Sequence, residues 1–486
     1  MNKPKISPHP QWALDYRKPG TELRHIRGKY YLYSVSSKYD PKLKRSKKIS
    51  GKILGTITQQ DGFVESEKKK LREKAMFVVD FDTICVREFG FSSFLSQYNQ
   101  LIEQRLKQFF PEHFLVILYM AYCRFVHFSP LKNMAFHIAK SMLSVDDKTV
   151  YNEKKFSMNL REIGGMRVQA TDYLKSFIKV NDNVMVDMTN VFSNSEKMRY
   201  SKEGYNSEMV FEKQFNLMYI YSPQMIQPVF YRLYSGNIKE VTGFKLCLQE
   251  SGLTDVTIIA DKGFHSAANV ALMNQEGFKY ILPLKRDSSL ILYEKLEDKK
   301  QLSYFKYEER YIWWVSYQID GQQIFLFKDE KLRVQEEKDH LDRIETHPEN
   351  YQLENFYQKE NRFGTIAFLT SEKGNEAQHV YTVYKSRNSI EVMFDGIKNI
   401  LHADRTYMQN EDALQGWMFI NHIAMQWYYI IYSMLKKHNQ LKHYSVSDFT
   451  KHLYEIKKVK INNQWVQEPQ IKATKTLAKT LNIHIT

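Results

Sequence analysis

Apolar and polar positions change texture several times along the chain. Residues 28–60 alternate in two stretches, GKYYLYSVSSKYD and KKISGKILGTIT, which predict two strands joined by a turn that carries Lys42, Lys44, Arg45, Lys47 and Lys48. A second basic run, Lys68 to Lys74, leads into the strand-like AMFVVD. From about 92 to 180 the apolar residues recur at helical spacing, most clearly in FLSQYNQLIEQRLKQFF and around HFLVILYMAYCRFVHF, and predict a helical unit. No short turn with helix-turn-helix chemistry stands out there, so plain helix packing competes with a DNA-binding role.

From residue 183 short apolar runs follow one another: VMVDMT, NLMYIYS and PVFYRLY, then a helix after SGNIKE, the strand VTIIAD, another helix and the strand YILPLK. A three-strand meander followed by alternating helix and strand predicts an α/β fold with a mixed sheet of the ribonuclease H-like kind. Residues 288–380 interrupt it with charged, aromatic sequence. Within them YIWWVSYQI and QQIFLFK flank Asp320-Gly321, a strong hairpin signal, and 328–361 is highly charged, so the block reads as a β-rich insertion. The helical pattern resumes near 384. Trp417 to Leu435 is strongly apolar but contains Asn421, His422 and Gln426, which predicts a buried helix and no membrane span. The expected organisation is therefore a β-rich basic region (1–80), a helical region (81–180), the core in two parts (181–287 and 381–440) around the insertion (288–380), and a basic tail (441–486) that the pattern does not place.

Composition narrows the class. A chain of 486 residues with 43% hydrophobic and 14% aromatic residues has ample material for more than one core. Lys and Arg outnumber Asp and Glu by 70 to 55, a net +15 that favours a polyanionic partner. Cys85, Cys123 and Cys247 lie far apart and form no CxxC pair, which supports neither a disulfide framework nor a zinc site and fits a reducing cytoplasm. The start, MNKPKISPHPQW, lacks the apolar stretch of a secretory signal.

Candidate chemistry rests on carboxylates. Asp187 closes the strand NVMVD and Asp261 closes VTIIAD, at the carboxyl ends of buried strands, where open α/β sheets place their sites. Taken singly, each aspartate is more readily a cap for the loop or helix that follows. Read as one continuous helix, the segment from 384 puts Tyr384, Arg387, Glu391 and Lys398 within an arc of about 60°. That arc borders an apolar one made by Ile390, Met393, Phe394, Ile397, Ile400 and Leu401. As a mere surface stripe, the Arg387–Glu391 pair would be worth only about 0.2–0.5 kcal/mol.

The spacing Tyr384-x2-Arg387-x3-Glu391-x6-Lys398 resembles the YREK signature of insertion-sequence transposases of the IS-four type. Asp187-Met188-Thr189 and Asp261-Lys262-Gly263-Phe264-His265-Ser266 resemble that family's two aspartate motifs, and Ser235-Gly236-Asn237-x2-Glu240 the turn between them. The resemblance covers about 183–287 and 381–440, and more loosely the hairpin 28–60. It departs in the turn Ser222 to Gln227, which lacks the expected glycine, and 288–380 carries no alignable motif. What it implies is a ribonuclease H-like core with a β-rich insertion between the second aspartate and the glutamate. Asp187, Asp261 and Glu391 would be the catalytic ligands of two Mg²⁺ or Mn²⁺ ions, with Asp187 bridging them. Tyr384, Arg387 and Lys398 would hold DNA phosphates. The implied reaction is cleavage and strand transfer on double-stranded DNA, at terminal inverted repeats and target sites, by a homodimer on paired ends. Lys44, Arg45, Lys47 and Lys48 are further candidates for phosphate contact. Of the adjacent Trp313 and Trp314, one faces in and one out, and Trp314 is taken as the candidate for stacking on an unstacked base. The rival readings are a non-catalytic DNA-binding protein descended from such an element and a stand-alone metal-dependent nuclease.

Overall fold

The computed structural model describes residues 7–40, 45–67, 84–196, 198–204, 206, 209–371, 376–401, 405–461 and 463–485. Lys42, Lys44, the run Lys68 to Lys74 and the AMFVVD stretch lie outside the described residues. The chain divides into two units, residues 1–85 with 459–466 and the remainder.

In the first unit the alternation over 28–60 does produce a long hairpin, β2 (Lys29–Asp40) against β3 (Arg45–Thr58), flanked by β1 (Thr21–Ile26) and β4 (Gly62–Glu65) in one antiparallel sheet. Its small core is Ala13, Leu23, Leu32 and Ile57, with Trp12, Tyr30, Leu54 and Phe63 packed around them. The core serves only the near half of the hairpin. Arg45 to Lys52 are all exposed, and Lys48 Nζ meets Glu22 at 2.8 Å, so the basic half is a solvated ribbon.

The second unit begins at Val86, within β5 (Cys85–Glu88), and continues as a run of helices from Gly90–Tyr98 to Arg167–Lys175, where helical spacing predicts them. The longest helix, Glu411–Lys437, explains the polar residues in its apolar run. Tyr173 donates to Gln426 Oε1 at 2.7 Å, Arg124 Nε donates to Asn421 Oδ1 at 3.2 Å, and the fully buried Trp427 donates to Asn99 at 2.7 Å. These bonds offset the cost of burying Asn421 and Gln426, because a buried polar atom without a partner is costly; the His422 ring has no hydrogen bond. No single described helix is long and apolar enough to cross a membrane.

The sheet follows the meander and the alternation. Strand β6 (Asn183–Ser193) pairs antiparallel with β8 (Lys213–Ser222), and β8 with β9 (Gln227–Ser235) and the short β7 (Lys202–Glu203). On its other side β6 runs parallel to β10 (Thr257–Ala260), and β10 parallel to β11 (Lys279–Pro283). The block 288–380 does not form a sheet of its own. Its strands β12 (Ser303–Tyr307), β13 (Arg310–Ile319), β14 (Gln322–Asp329) and β15 (Thr365–Thr370) continue the core sheet through β15, which pairs with β11. With β16 (Arg405–Thr406) beside β6, the sheet has eleven described strands. At the predicted hairpin Asp320 and Gly321 both take positive φ, 48° and 78°, the geometry of a two-residue turn whose twist matches its strands. In the turn Ser222 to Gln227, Ile226 takes φ 51° where a glycine was expected, a conformation that crowds a β-branched side chain.

Candidate active site

β10 ends at Ala260, opposite Val186 of β6, and the next residue on each strand is an aspartate. Asp187 is not the last residue of its strand, as the sequence had suggested. β6 continues to Ser193 because β8 remains beside it after β10 has stopped. The Asp187 side chain is 14% exposed, and its Oδ1 accepts the Met188 N–H at 2.8 Å. Asp261 precedes a tight helical turn, Lys262–Phe264, with no capping bond from its side chain. That turn is held instead by Phe264, buried against Phe244 at 5.3 Å, and by Ser266, whose hydroxyl accepts the Asn269 N–H at 3.1 Å. Other residues of the motif thus hold the local structure, and the aspartate is left for something else.

The segment carrying Glu391 is not one helix. Ala377–Lys385 ends at Ser386, a second helix spans Asn388–Asp395, and a wide π turn spans Gly396–Ile400. Ser386 Oγ donates to the Val383 carbonyl at 2.6 Å, a back-bond of the type that bends helices. Three-residue bonds from Arg387 N–H to Tyr384 and from Ile390 N–H to Arg387 tighten the junction. The wheel that grouped four residues therefore holds for three. Arg387 reaches the aspartates and Glu391 joins them through it, with Tyr384 close enough to feel their charge, whereas Lys398 sits half-buried in the π turn and forms no ion pair with them among the described residues.

Arg387 is the centre of the arrangement. Its Nη2 lies 2.8 Å from Asp187 Oδ2 and 4.0 Å from Asp261 Oδ2, and its Nη1 lies 2.8 Å from Glu391 Oε1. The guanidinium is 13% exposed, Asp261 37% and Glu391 54%. Its Nε is buried without an acceptor. Three carboxylates face one cation, so the site is net negative when all are ionised. Burial pushes the Asp187 carboxyl up to about 6, against the pull of Arg387 and the Met188 N–H, and Asp261 adds to the rise. Burial alone would lower Arg387, but Asp187, Asp261, Tyr384 and Glu391 together hold it above its ordinary value. Tyr384, its ring 4.4 Å from that of Phe368, is pushed up to about 12 by burial, with Arg387 opposing and the carboxylates reinforcing, so its hydroxyl stays a donor.

The hard oxygen donors of Asp187, Asp261 and Glu391 are of the kind that Mg²⁺ and Mn²⁺ take, and all three converge on one cation. Among the described residues no group of three or more His, Cys, Asp or Glu side chains is spaced to hold a metal as it stands. The donor set fits a divalent ion, and the present spacing is that of a guanidinium shared between carboxylates.

Trp314 corrects another expectation. It packs half-buried on the core beside Phe325, ring centroids 6.0 Å apart, while Trp313 takes the other face with Tyr304 at 5.4 Å. Alternation assigns the two to opposite faces but cannot say which face is covered. The sequence reading also passed over buried amides. Asn216, inside the apolar run of β8, donates to the carbonyls of Gly236 at 3.2 Å and Ile238 at 2.9 Å, and Gln214 donates to Asn216 at 3.1 Å. Polar residues within an otherwise apolar strand were the available signal.

Residues 142–427, more than half of the chain, match the family model of the transposase DDE domain. The chain belongs to this family. The DDE transposases are in general metal-dependent, DNA-cleaving enzymes, and the matched span encloses Asp187, Asp261 and Glu391. Among solved structures the transposase chain is distantly similar to a piggyBac transposase synaptic complex with hairpin DNA, at 10% identity over 70% of each chain and a TM-score of 0.41. A Mos1 transposase paired-end complex with left transposon end shares 13% identity over 31% of this chain and 53% of its own, with a TM-score of 0.15. No curated protein sequence matches the chain.

Proposed function

We propose that this protein is the transposase of an insertion sequence of the YREK type, with a ribonuclease H-like core, and that it cleaves DNA at terminal inverted repeats and transfers the freed strand to target DNA. The observation that carries the reading is the convergence of Asp187, Asp261 and Glu391, distant in sequence, on the single guanidinium of Arg387.

Asp187, Asp261 and Glu391 would hold two Mg²⁺ or Mn²⁺ ions, which when bound supply an activated oxygen nucleophile and relieve charge at the attacked phosphorus. Water is the nucleophile for cleavage, and the freed 3′-hydroxyl for strand transfer, so one site serves both steps. Arg387 offers a planar fork suited to two phosphate oxygens, and the Tyr384 hydroxyl donates to a third. Lys398, further along the same segment, would hold a neighbouring phosphate. Arg45, Lys47 and Lys48 on the exposed half of the hairpin, together with Lys44, would grip the backbone without reading sequence. A homodimer working on paired ends in the cytoplasm, on chromosomal or plasmid DNA, completes the proposal.

Glu391→Gln keeps the shape and removes one charge. It should abolish Mg²⁺-dependent nicking of duplexes taken from the DNA flanking the gene while retaining their binding in a gel-shift assay. Nicking at the wild-type rate would dismiss the triad.

A further inference from the structure

We infer that Arg387 is the resident cation of the metal-free site, and that a DNA phosphate opens the site to divalent ions by drawing the guanidinium away from Asp187, Asp261 and Glu391. The inference rests on the reading just given, that these carboxylates bind metal and that the partner is DNA, and adds the order in which the site is filled.

The geometry sets ion and guanidinium in competition. With Nη2 at 2.8 Å from Asp187 and Nη1 at 2.8 Å from Glu391, the guanidinium lies between two of the carboxylates that would hold a metal. A small divalent ion draws its oxygens in to about 2.0–2.1 Å and withdraws charge from them, so ion and guanidinium compete for the same carboxylates. Their charges also repel. Yet without Arg387 three carboxylates would face one another with no cation, a cost that falls most heavily on the buried Asp187. An arginine that stays until DNA arrives offsets part of that cost.

The contacts also show why the arginine can leave. Its Nε–H is buried with no acceptor, so the present pose leaves one donor unused. A phosphate matches the planar fork as well as a carboxylate does and could engage the nitrogen that is idle here. Glu391, more than half exposed on its short helix, can follow or release it without disturbing the sheet. Toward the metal Arg387 is thus a positioning residue, acting through the carboxylates it holds or frees. Because linkage is reciprocal, metal should then strengthen DNA binding by the same factor that DNA strengthens metal binding.

The test is Mn²⁺ binding, read by the electron paramagnetic resonance of the free ion, for full-length wild type, Arg387→Gln and Arg387→Lys. Each is titrated alone and with a saturating short blunt duplex from the DNA flanking the gene, duplex binding being followed by anisotropy. Without DNA, Arg387→Gln should bind Mn²⁺ about tenfold more tightly than wild type, and Arg387→Lys should stay near wild type. Duplex should tighten Mn²⁺ binding about tenfold on wild type and leave Arg387→Gln nearly unchanged. Arg387→Gln should also unfold at a lower temperature than wild type in EDTA and recover with Mn²⁺. Equal or weaker Mn²⁺ binding by Arg387→Gln in the absence of DNA would overturn the inference. Equal tightening of both proteins by duplex would overturn it too, since phosphate would then act on the ion directly. Absence of Mn²⁺ binding in all three proteins, or of duplex binding, would overturn instead the reading on which the inference rests.

Discussion

Asp187 and Glu391 face the same guanidinium from opposite kinds of support. Asp187 sits inside β6, with β8 hydrogen-bonded along one edge and the end of β10 against the other, and its carboxylate is nearly enclosed. Glu391 sits in the first turn of an eight-residue helix, between a break and a π turn, and more than half of its side chain meets water. A charge held by a sheet is desolvated before any ligand arrives. A charge held on a short helix keeps its water until then. Adjustment to a ligand should accordingly fall on the helix side, because a shift of β6 would disturb its registers with two neighbouring strands.

The largest effects should come from removing one charge on each side. Asp187→Asn and Glu391→Gln should each reduce cleavage by roughly 10³-fold or more, the several kcal/mol that metal-assisted charge relief is worth. Their stabilities should part company. Burial raises the Asp187 carboxyl to about 6 in the fold, above its value in the unfolded chain. Its contribution to stability is complete below the unfolded value and is lost as pH rises through about 6. Near neutral pH in EDTA, Asp187→Asn should therefore unfold at a higher temperature than wild type, and Glu391→Gln at the same temperature. Equal stabilisation by both would erase the distinction between the two supports.

Two glycines test the backbone in the same way. A Cβ on Gly236 would collide with the carbonyl oxygens of Gln214 and Lys202, both fixed in strands. A Cβ on Gly396, in the π turn, would meet only the flexible end of Met425, at 3.2 Å. Gly236→Ala should cost about 2–3 kcal/mol in urea unfolding, and Gly396→Ala less than about 1 kcal/mol. Similar costs would mean that the helix side is held as tightly as the sheet.

The same division governs what could be read from sequence. The strands around Asp187 and Asp261 were legible because each is a short apolar run ended by polar turn residues, and the Asp320-Gly321 hairpin because its turn chemistry is local. The length of β6 beyond Asp187 was not, since it depends on β8 persisting where β10 stops, a nonlocal fact. Nor was the joining of β12 to β15 onto the core sheet, for the same reason. The helix carrying Glu391 was read as continuous because no proline marks the break. The break comes from a serine back-bond at Ser386, which a helical wheel cannot display. Spacing did bring Tyr384, Arg387 and Glu391 to one face, but that Arg387 would touch all three carboxylates required the fold.

Behind the strand side lies His422, fully buried, with neither ring nitrogen hydrogen-bonded and its ring stacked at 5.9 Å on Tyr219, the register partner of Asp187. Burial lowers it to about 3, so its contribution to stability is present above its unfolded value near 6.5 and is lost as pH falls from there towards about 3. Relative to His422→Leu, wild type should lose roughly 2 kcal/mol between neutral pH and about pH 5 in urea titrations. Parallel acid limbs for the two proteins would show that the imidazole is not held neutral, and that the sheet side is less dry than its contacts suggest.

The smallest effect belongs to the helix side. Tyr384→Phe removes one hydroxyl and leaves the ring on Phe368, so Tm should not move. If the hydroxyl donates to a phosphate only when DNA is bound, kcat/KM for cleavage should fall about fivefold, the worth of one hydrogen bond of roughly 1 kcal/mol. Unchanged kinetics would remove Tyr384 from the phosphate contacts. A large loss of activity together with a lower Tm would place it in the packing of the site, and would make the helix side more like the sheet than its broken backbone implies.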